Sequence, residues 1–298
     1  MQRPFGPGRG RPLSDVRKVA VIGAGTMGSG IALVAASSGF DVALVDVSSE
    51  QLERAAGYHA KVLARNVEKE RMTREEADST LARISPVTNM EEASDADWVV
   101  EAATENIDVK KSLFQQMKST FGESVVLATN TSSISITDLA SAVAGAEERV
   151  IGMHFFNPVP IMKLVEVIKG RATSEETTAR TIELSEAMGK TPIPANDFAG
   201  FVSNRVLMPM INEAFHAWSD GVAEPEAIDS IMTLGCNFPM GPLRLADHIG
   251  LDVCRDIMLV MHEGLGDDKY LPSPRLVELV EEGRLGNKTG RGVYDHSS

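Results

Sequence analysis

The chain is poor in the features that brace secreted proteins or carry a chain into a membrane. Only two cysteines, Cys236 and Cys254, occur in 298 residues. They are too few for a disulfide framework and lack metal-ligand spacing, so a reducing compartment is the simplest reading. No apolar run approaches the roughly 20 residues of a membrane helix, and no membrane association is expected. Basic residues are outnumbered, 29 Lys and Arg against 42 Asp and Glu, for a net charge of −13. That balance argues against bulk nucleic-acid binding, and any anionic ligand must be met by local donors. The six histidines are dispersed, with no H-E-x-x-H spacing, and no metal is expected. What is present, 43% apolar and 24% charged residues, describes an ordinary globular chain long enough for two domains.

Residues 1–17, MQRPFGPGRGRPLSDVR, hold four arginines (Arg3, Arg9, Arg11, Arg17) and one acid, Asp15. They lack the apolar segment of a secretory signal and read as a flexible tail. The compartment expected is the cytoplasm. An organelle matrix is the alternative if the basic tail is a targeting remnant.

From Lys18 the pattern becomes specific. Lys18 to Ile22 (KVAVI) is a buried-strand pattern, followed by Gly23-Ala24-Gly25-Thr26-Met27-Gly28 and a helical run over Ser29 to Ser38. A second strand, Val42 to Val45, ends in Asp46. Strand, G-x-G-x-x-G, helix, strand and acid together form the dinucleotide-binding fingerprint. Gly23 makes the tight turn, Gly25 admits the pyrophosphate, and Gly28 lets helix pack on strand. The helix N-terminus faces the phosphates. Asp46 would accept hydrogen bonds from the adenosine ribose and repel a 2′-phosphate, which favours NAD over NADP.

Residues 50–85 predict two charged helices, with Thr73 as an N-cap between them. Lys61, Arg65 and Lys69 share one helix face, either as a solvated surface or as a landing strip for a phosphorylated ligand. A strand over Asp97 to Ala103 and another over Val125 to Ala128 end in the polar clusters Thr104-Glu105-Asn106 and Thr129-Asn130-Thr131-Ser132-Ser133. Ligands of an open parallel sheet bind beyond the carboxyl ends of its strands, which puts both clusters beside the glycine turn. The second cluster also suits capping of the helix expected to run to about Ala144.

A strand over Val150 to His154 brings a lone histidine to the same edge. Asn157, Pro158 and Pro160 then forbid a continuous helix, and Leu164 to Ile168 is an apolar run with Glu166 inside it. A histidine beside one strand and a carboxylate in the next can meet across the bend as a general base. A lone histidine among apolar residues is more often a satisfied core residue, and its place on the ligand edge is what argues against that.

An amphipathic helix over Ser174 to Gly189 and an edge strand at 191–194 close the first half. From Phe201 on, strand signals give way to helical spacing, with further helices near 224–235, 241–262 and 273–282. Asn204 and Arg205 fall in the first of these helices. Gly286-Asn287-Lys288-Thr289-Gly290 is rejected as a phosphate loop because its spacing fails and no strand precedes it. The fold expected is α/β: a Rossmann-type doubly wound sheet over 18–199, then an all-α C-terminal domain over 200–298.

The run GMHFFNPVPIMKLVEVI, with NTSS before it and DFAGFVSNR, PMGPLRLADHIGLDVC and LGNKTGRGVYD after it, resembles the L-3-hydroxyacyl-CoA dehydrogenases. The likeness covers Lys18 to Tyr294 and is closest to the stand-alone short-chain, 3-hydroxybutyryl-CoA type. It implies NAD as cofactor, an acyl-CoA substrate and a homodimer through the helical domain. It also implies catalytic roles for His154, Glu166, Ser132 and Asn204. Gly23, Gly25, Gly28 and Asp46 match cofactor-binding positions, as do Glu105, Lys110, Asn157 and Lys288, with Asn130 in the Ser132 loop. Coenzyme A contacts fall on the arm that carries Lys61 and Lys69. Arg244 stands where the family commonly has an acid. The rival readings are another hydroxy-acid or sugar-phosphate dehydrogenase of this build, and a non-catalytic NAD-binding relative.

Overall fold

The computed structural model describes residues 15–296, so most of the expected basic tail, residues 1–14, lies outside the described residues. The chain divides into two compact units, Met1–Asp197 and Phe198–Ser298, two residues before the boundary read from the sequence.

The first unit is built on an eight-stranded sheet. Its strands are β1 (Lys18–Ile22), β2 (Asp41–Val45), β3 (Ile84–Val87), β4 (Trp98–Glu101), β5 (Val126–Thr129), β6 (Val150–Phe155), β7 (Leu164–Lys169) and β8 (Thr191–Asn196). They run in the order β3-β2-β1-β4-β5-β6-β7-β8. Neighbours are parallel except β6 and β7. This is the doubly wound order, and it reverses between β1 and β4. Central strands β4 and β5 are buried at every position, as a sheet covered on both faces requires. Proline is confined to the edges, Pro86 in β3 and Pro192 and Pro194 in β8, where a missing amide leaves no central ladder broken.

The helices of this unit are α1 (Thr26–Ser37), α2 (Ser49–Glu68), α3 (Arg74–Ala82), α4 (Ile107–Thr120), α5 (Ile136–Ala140) and α6 (Glu175–Ala187). Ser48, Asn106, Ser135 and Ser174 cap α2, α4, α5 and α6 through their side-chain oxygens, and Thr73 with Glu76 forms a capping box on α3. Helix α5 stops at Ala140, short of the expected Ala144, and the chain turns through Gly145 at φ 81°. The sequence also put the start of order too late. Val16 is 5% exposed in the core, Arg180 lies 3.5 Å from the Asp15 carboxylate, and the Arg17 amide donates to Asp97 at 2.8 Å.

The second unit is helical: α7 (Ser203–Ser219), α8 (Pro225–Cys236), α9 (Pro242–Ile249), α10 (Leu251–Leu265) and α11 (Pro274–Glu281). The single helix expected over 241–262 is two, because Gly250 adopts φ 108° between them, a conformation open to glycine at little cost. Cys254 is a core side chain whose thiol is pushed up to about 12, chiefly by desolvation, so it is no nucleophile.

Two buried carboxylates hold the C-terminal segment. Asp247 accepts from the amides of Val293 and Tyr294 and from His296 Nε2 at 2.7–2.9 Å. Asp229 accepts from the amides of Leu243 and Arg244 and from the Tyr294 hydroxyl. Burial, then Asp229, pushes the Tyr294 phenol above its ordinary range. Arg244 rests 4.3 Å from the Tyr294 ring centroid, so the basic residue has an aromatic partner. Asp247→Ala is expected to cost about 3 kcal/mol or more, because several buried donors lose one acceptor. Thermal or urea unfolding measures this, and a loss below about 1 kcal/mol would show that water replaces the carboxylate. Among the described residues no helix is long and apolar enough to cross a membrane.

Candidate active site

The glycine turn sits at the carboxyl end of β1. A Cβ on Gly23 would lie 2.6 Å from Ala103 Cα, and one on Gly28 would lie 1.8 Å from the Gly23 carbonyl oxygen. Both positions therefore require glycine for packing. A Cβ on Gly25 would meet nothing within 4 Å; it would project into the space where a ligand's phosphates would approach the N-terminus of α1. That helix begins at Gly25 with no side-chain cap, so its first amides face that space. Asp46, just past β2, accepts from the Ala24 amide at 2.8 Å and the Ser48 amide at 2.9 Å. The turn, the helix end and the acid fit a dinucleotide. Helix α2 is tied to the same turn: Gln51 Nε2 donates to Ala24 O, and buried His59 pairs with Ser29 O at 2.8 Å. Desolvation holds His59 below its ordinary pKa, against the opposing effect of that carbonyl.

Further along the same edge, β6 and β7 pair antiparallel with His154 directly opposite Glu166. Both are buried, and His154 Nδ1 lies 2.7 Å from Glu166 Oε2. With Glu166 ionised, Nδ1 carries the proton and donates it, which places the basic lone pair of the imidazole on Nε2. The Phe156 ring packs at 4.5 Å from the imidazole. The bend between the strands contains a cis Asn157–Pro158 bond and is held by Lys190, whose Nζ donates to Val159 O and Met162 O. Burial pushes the Lys190 ammonium below the ordinary lysine range. No local pattern marks Lys190, because its partners are backbone carbonyls distant along the chain.

Glu105 and Ser132 also meet. Glu105 Oε1 accepts from the Ser132 amide and hydroxyl at 2.7 and 2.8 Å, and its Oε2 accepts from Thr131 Oγ1 at 2.7 Å. Asn130 Oδ1 accepts from the Phe155 amide at 2.9 Å, which joins the Ser132 loop to the residue after His154. Capping of α5 falls to Ser135, two residues beyond this cluster.

Other expected residues fall elsewhere. Lys110 is 1% exposed, and its Nζ is bound to Glu101 Oε2 at 2.5 Å and Thr129 Oγ1 at 3.3 Å. Neither partner was anticipated, although a carboxylate inside the apolar run WVVE was a visible signal. Asn157 is exposed beyond β6. Lys61 and Lys69 are exposed along and just past α2, away from the strand ends. In the second unit, Asn204 is buried in the first turn of α7, and Lys288 pairs with Asp252 at 2.6 Å. Burial opposes the Asp252 charge, but Lys288 and backbone donors outweigh it and hold the carboxyl below its usual range.

A glycine turn open to a dinucleotide, with a histidine–carboxylate pair on the same strand edge, is the equipment of an NAD-dependent dehydrogenase. The NAD-binding domain model of 3-hydroxyacyl-CoA dehydrogenase matches residues 18–198, and the C-terminal domain model matches 200–296. The chain belongs to the 3-hydroxyacyl-CoA dehydrogenase family and is an NAD-dependent enzyme of that class. It is 53% identical over 282 residues to the "Probable 3-hydroxybutyryl-CoA dehydrogenase" of Bacillus subtilis, covering 95% of this chain and 98% of that one. It is 47% identical to the 3-hydroxyadipyl-CoA dehydrogenase of Escherichia coli, over 94% of this chain and 59% of that longer one. The crystal structure of (S)-3-hydroxybutyryl-CoA dehydrogenase from Ralstonia eutropha superposes with a TM-score of 0.92 at 48% identity, covering 95% of this chain and 100% of that one.

Proposed function

We propose that the enzyme interconverts a short-chain (S)-3-hydroxyacyl-CoA, 3-hydroxybutyryl-CoA above all, and its 3-oxoacyl-CoA, with His154 and Glu166 as the acid–base pair. The observation that carries this reading is the cross-strand bond from His154 Nδ1 to Glu166 at 2.7 Å. Glu166 fixes the ring and favours the imidazolium, so Nε2 takes the proton of the substrate's 3-hydroxyl in oxidation and returns it in reduction. Bound NAD supplies the hydride acceptor. Ser132 and Asn204 steady the oxygen whose charge changes. Gly23, Gly25 and Gly28 shape the pyrophosphate turn, and Asp46 binds the adenosine ribose. Glu105, Lys110, Asn130, Asn157 and Lys288 serve the rest of the cofactor site. Lys61 and Lys69 receive coenzyme A phosphates, and the helical unit forms a homodimer. The cytoplasm is the compartment, in keeping with two free thiols.

The test is NADH oxidation with acetoacetyl-CoA beside a series of longer and carboxyl-terminated 3-oxoacyl-CoAs. Preference for the four-carbon substrate supports the reading. Silence with acetoacetyl-CoA and turnover of another member would replace the substrate; silence throughout would remove the activity. Asp46→Ala is expected to weaken NADH binding about tenfold and to narrow the gap to NADPH, since a charge-assisted ribose contact is worth roughly 1.5–3 kcal/mol. Fluorescence titration reads both constants, and an enzyme that prefers NADPH before mutation would refute this role for Asp46.

A further inference from the structure

Beneath the cofactor edge lies a charged cluster that no step above uses. Glu101, Lys110 and Thr129 are 0%, 1% and 0% exposed. Glu101 Oε2 accepts from Lys110 Nζ at 2.5 Å and from Thr129 Oγ1 at 2.7 Å, while its Oε1 accepts from the Ala103 amide at 2.8 Å. These donors satisfy both carboxylate oxygens in a site with no water-facing surface. We propose that Glu101, Lys110 and Thr129 are positioning residues that align the glycine turn with the reaction loops. The proposal rests on the reading of His154 and Ser132 as the reaction centre.

The cluster is bonded to the backbone on both sides of that centre. Ala103, held by Glu101, is the residue against which Gly23 packs so closely that a Cβ there would lie 2.6 Å from Ala103 Cα. The glycine turn therefore takes its position from the backbone that Glu101 pins. Thr129 Oγ1 accepts from the Thr131 amide at 3.3 Å, and the Asn130 amide donates to Glu101 O at 2.7 Å. These two bonds set the loop whose Asn130 side chain holds Phe155, next to His154, and whose Ser132 binds Glu105. Lys110 Nζ also lies 4.0 Å from Glu105 Oε2, so its charge acts on the carboxylate that orients Ser132. A buried ion pair adds little net stability over an apolar filling of the same space, and it dictates geometry instead. Two of the three N–H donors of the Lys110 ammonium serve Glu101 and Thr129 and set that geometry.

Lys110→Met alone would strand a buried carboxylate and can unfold the chain, so two gentler variants carry the test in the full-length enzyme. Glu101→Gln/Lys110→Met removes both charges together. Thr129→Val removes one hydroxyl, with Thr129→Ser as its conservative rescue. With NADH saturating, the double variant should lose roughly 10- to 100-fold in kcat with acetoacetyl-CoA, the cost of misplacing reacting groups. Thr129→Val should show a smaller kcat loss that Thr129→Ser restores. Amide hydrogen exchange at Ala103 and Thr131 should quicken in Thr129→Val, and this readout does not depend on the substrate. A lowered Tm with unchanged kcat would make the cluster merely structural. Weakened NADH binding at unchanged kcat would confine the cluster to cofactor binding and overturn the positioning role. Unchanged exchange in Thr129→Val overturns the proposal even if the acyl-CoA reading itself fails.

Discussion

His154→Gln should lower kcat with acetoacetyl-CoA by about 10³-fold, within the range general acid–base catalysis supplies, while NADH still binds. Glutamine fills similar space and can still donate to Glu166 Oε2, so the antiparallel register of β6 and β7, with 154 opposite 166, is preserved. What it lacks is a basic nitrogen to exchange a proton with the substrate's oxygen. The loss should appear in kcat and kcat/KM alike, because the missing interaction belongs to the transition state. Stopped-flow reduction with NADH separates this from slow product release. Near-normal turnover would mean that another group moves the proton and that His154 and Glu166 are only a buried structural pair.

Gly28→Ala should abolish measurable NADH binding for a purely steric reason. The added methyl would lie 1.8 Å from the Gly23 carbonyl oxygen and 2.9 Å from its carbonyl carbon. Both are backbone atoms that no rotamer change can move. The turn must open, α1 must shift from β1, and the amides at its N-terminus must swing away from the pyrophosphate position. Binding should weaken by roughly 100-fold or more, since charge-assisted bonds to the phosphates are lost together. Gly25→Ala serves as the comparison, because its Cβ meets no protein atom. Its fold should be intact and its cofactor affinity reduced. Equal affinity in Gly28→Ala and the parent would mean that the helix end plays no part in binding.

The cofactor half of this site was legible because its determinants are local. The turn, the helix N-terminus and Asp46 lie within one strand–helix–strand unit, where each residue's duty follows from backbone sterics and spacing. The pairing of His154 with Glu166 was partly legible: two prolines enforce a bend, and an apolar run with one carboxylate after it invites a partner. Whether His154 faces Glu166 or sits one residue out of step depends on strand register, and a shift of one residue would send the two side chains to opposite faces. Lys110 shows the opposite outcome. The resemblance marks it as a cofactor-binding position, while its pairing with Glu101 in β4 has no signal in the sequence around Lys110. The break at Gly250 was read as continuous helix because a single glycine within helical spacing ends a helix only if the backbone takes positive φ, which packing decides.

By itself the sequence determined the order of elements, the cofactor class and the division near residue 198, since periodicity, caps and the glycine spacing are short-range properties. Only the tertiary structure decided which buried charges face one another: His154 with Glu166, Lys110 with Glu101, Asp247 with the C-terminal amides. Such pairings join residues 9 to 47 positions apart. They depend on desolvation and strand register, which exist only once the sheet and the helices have packed.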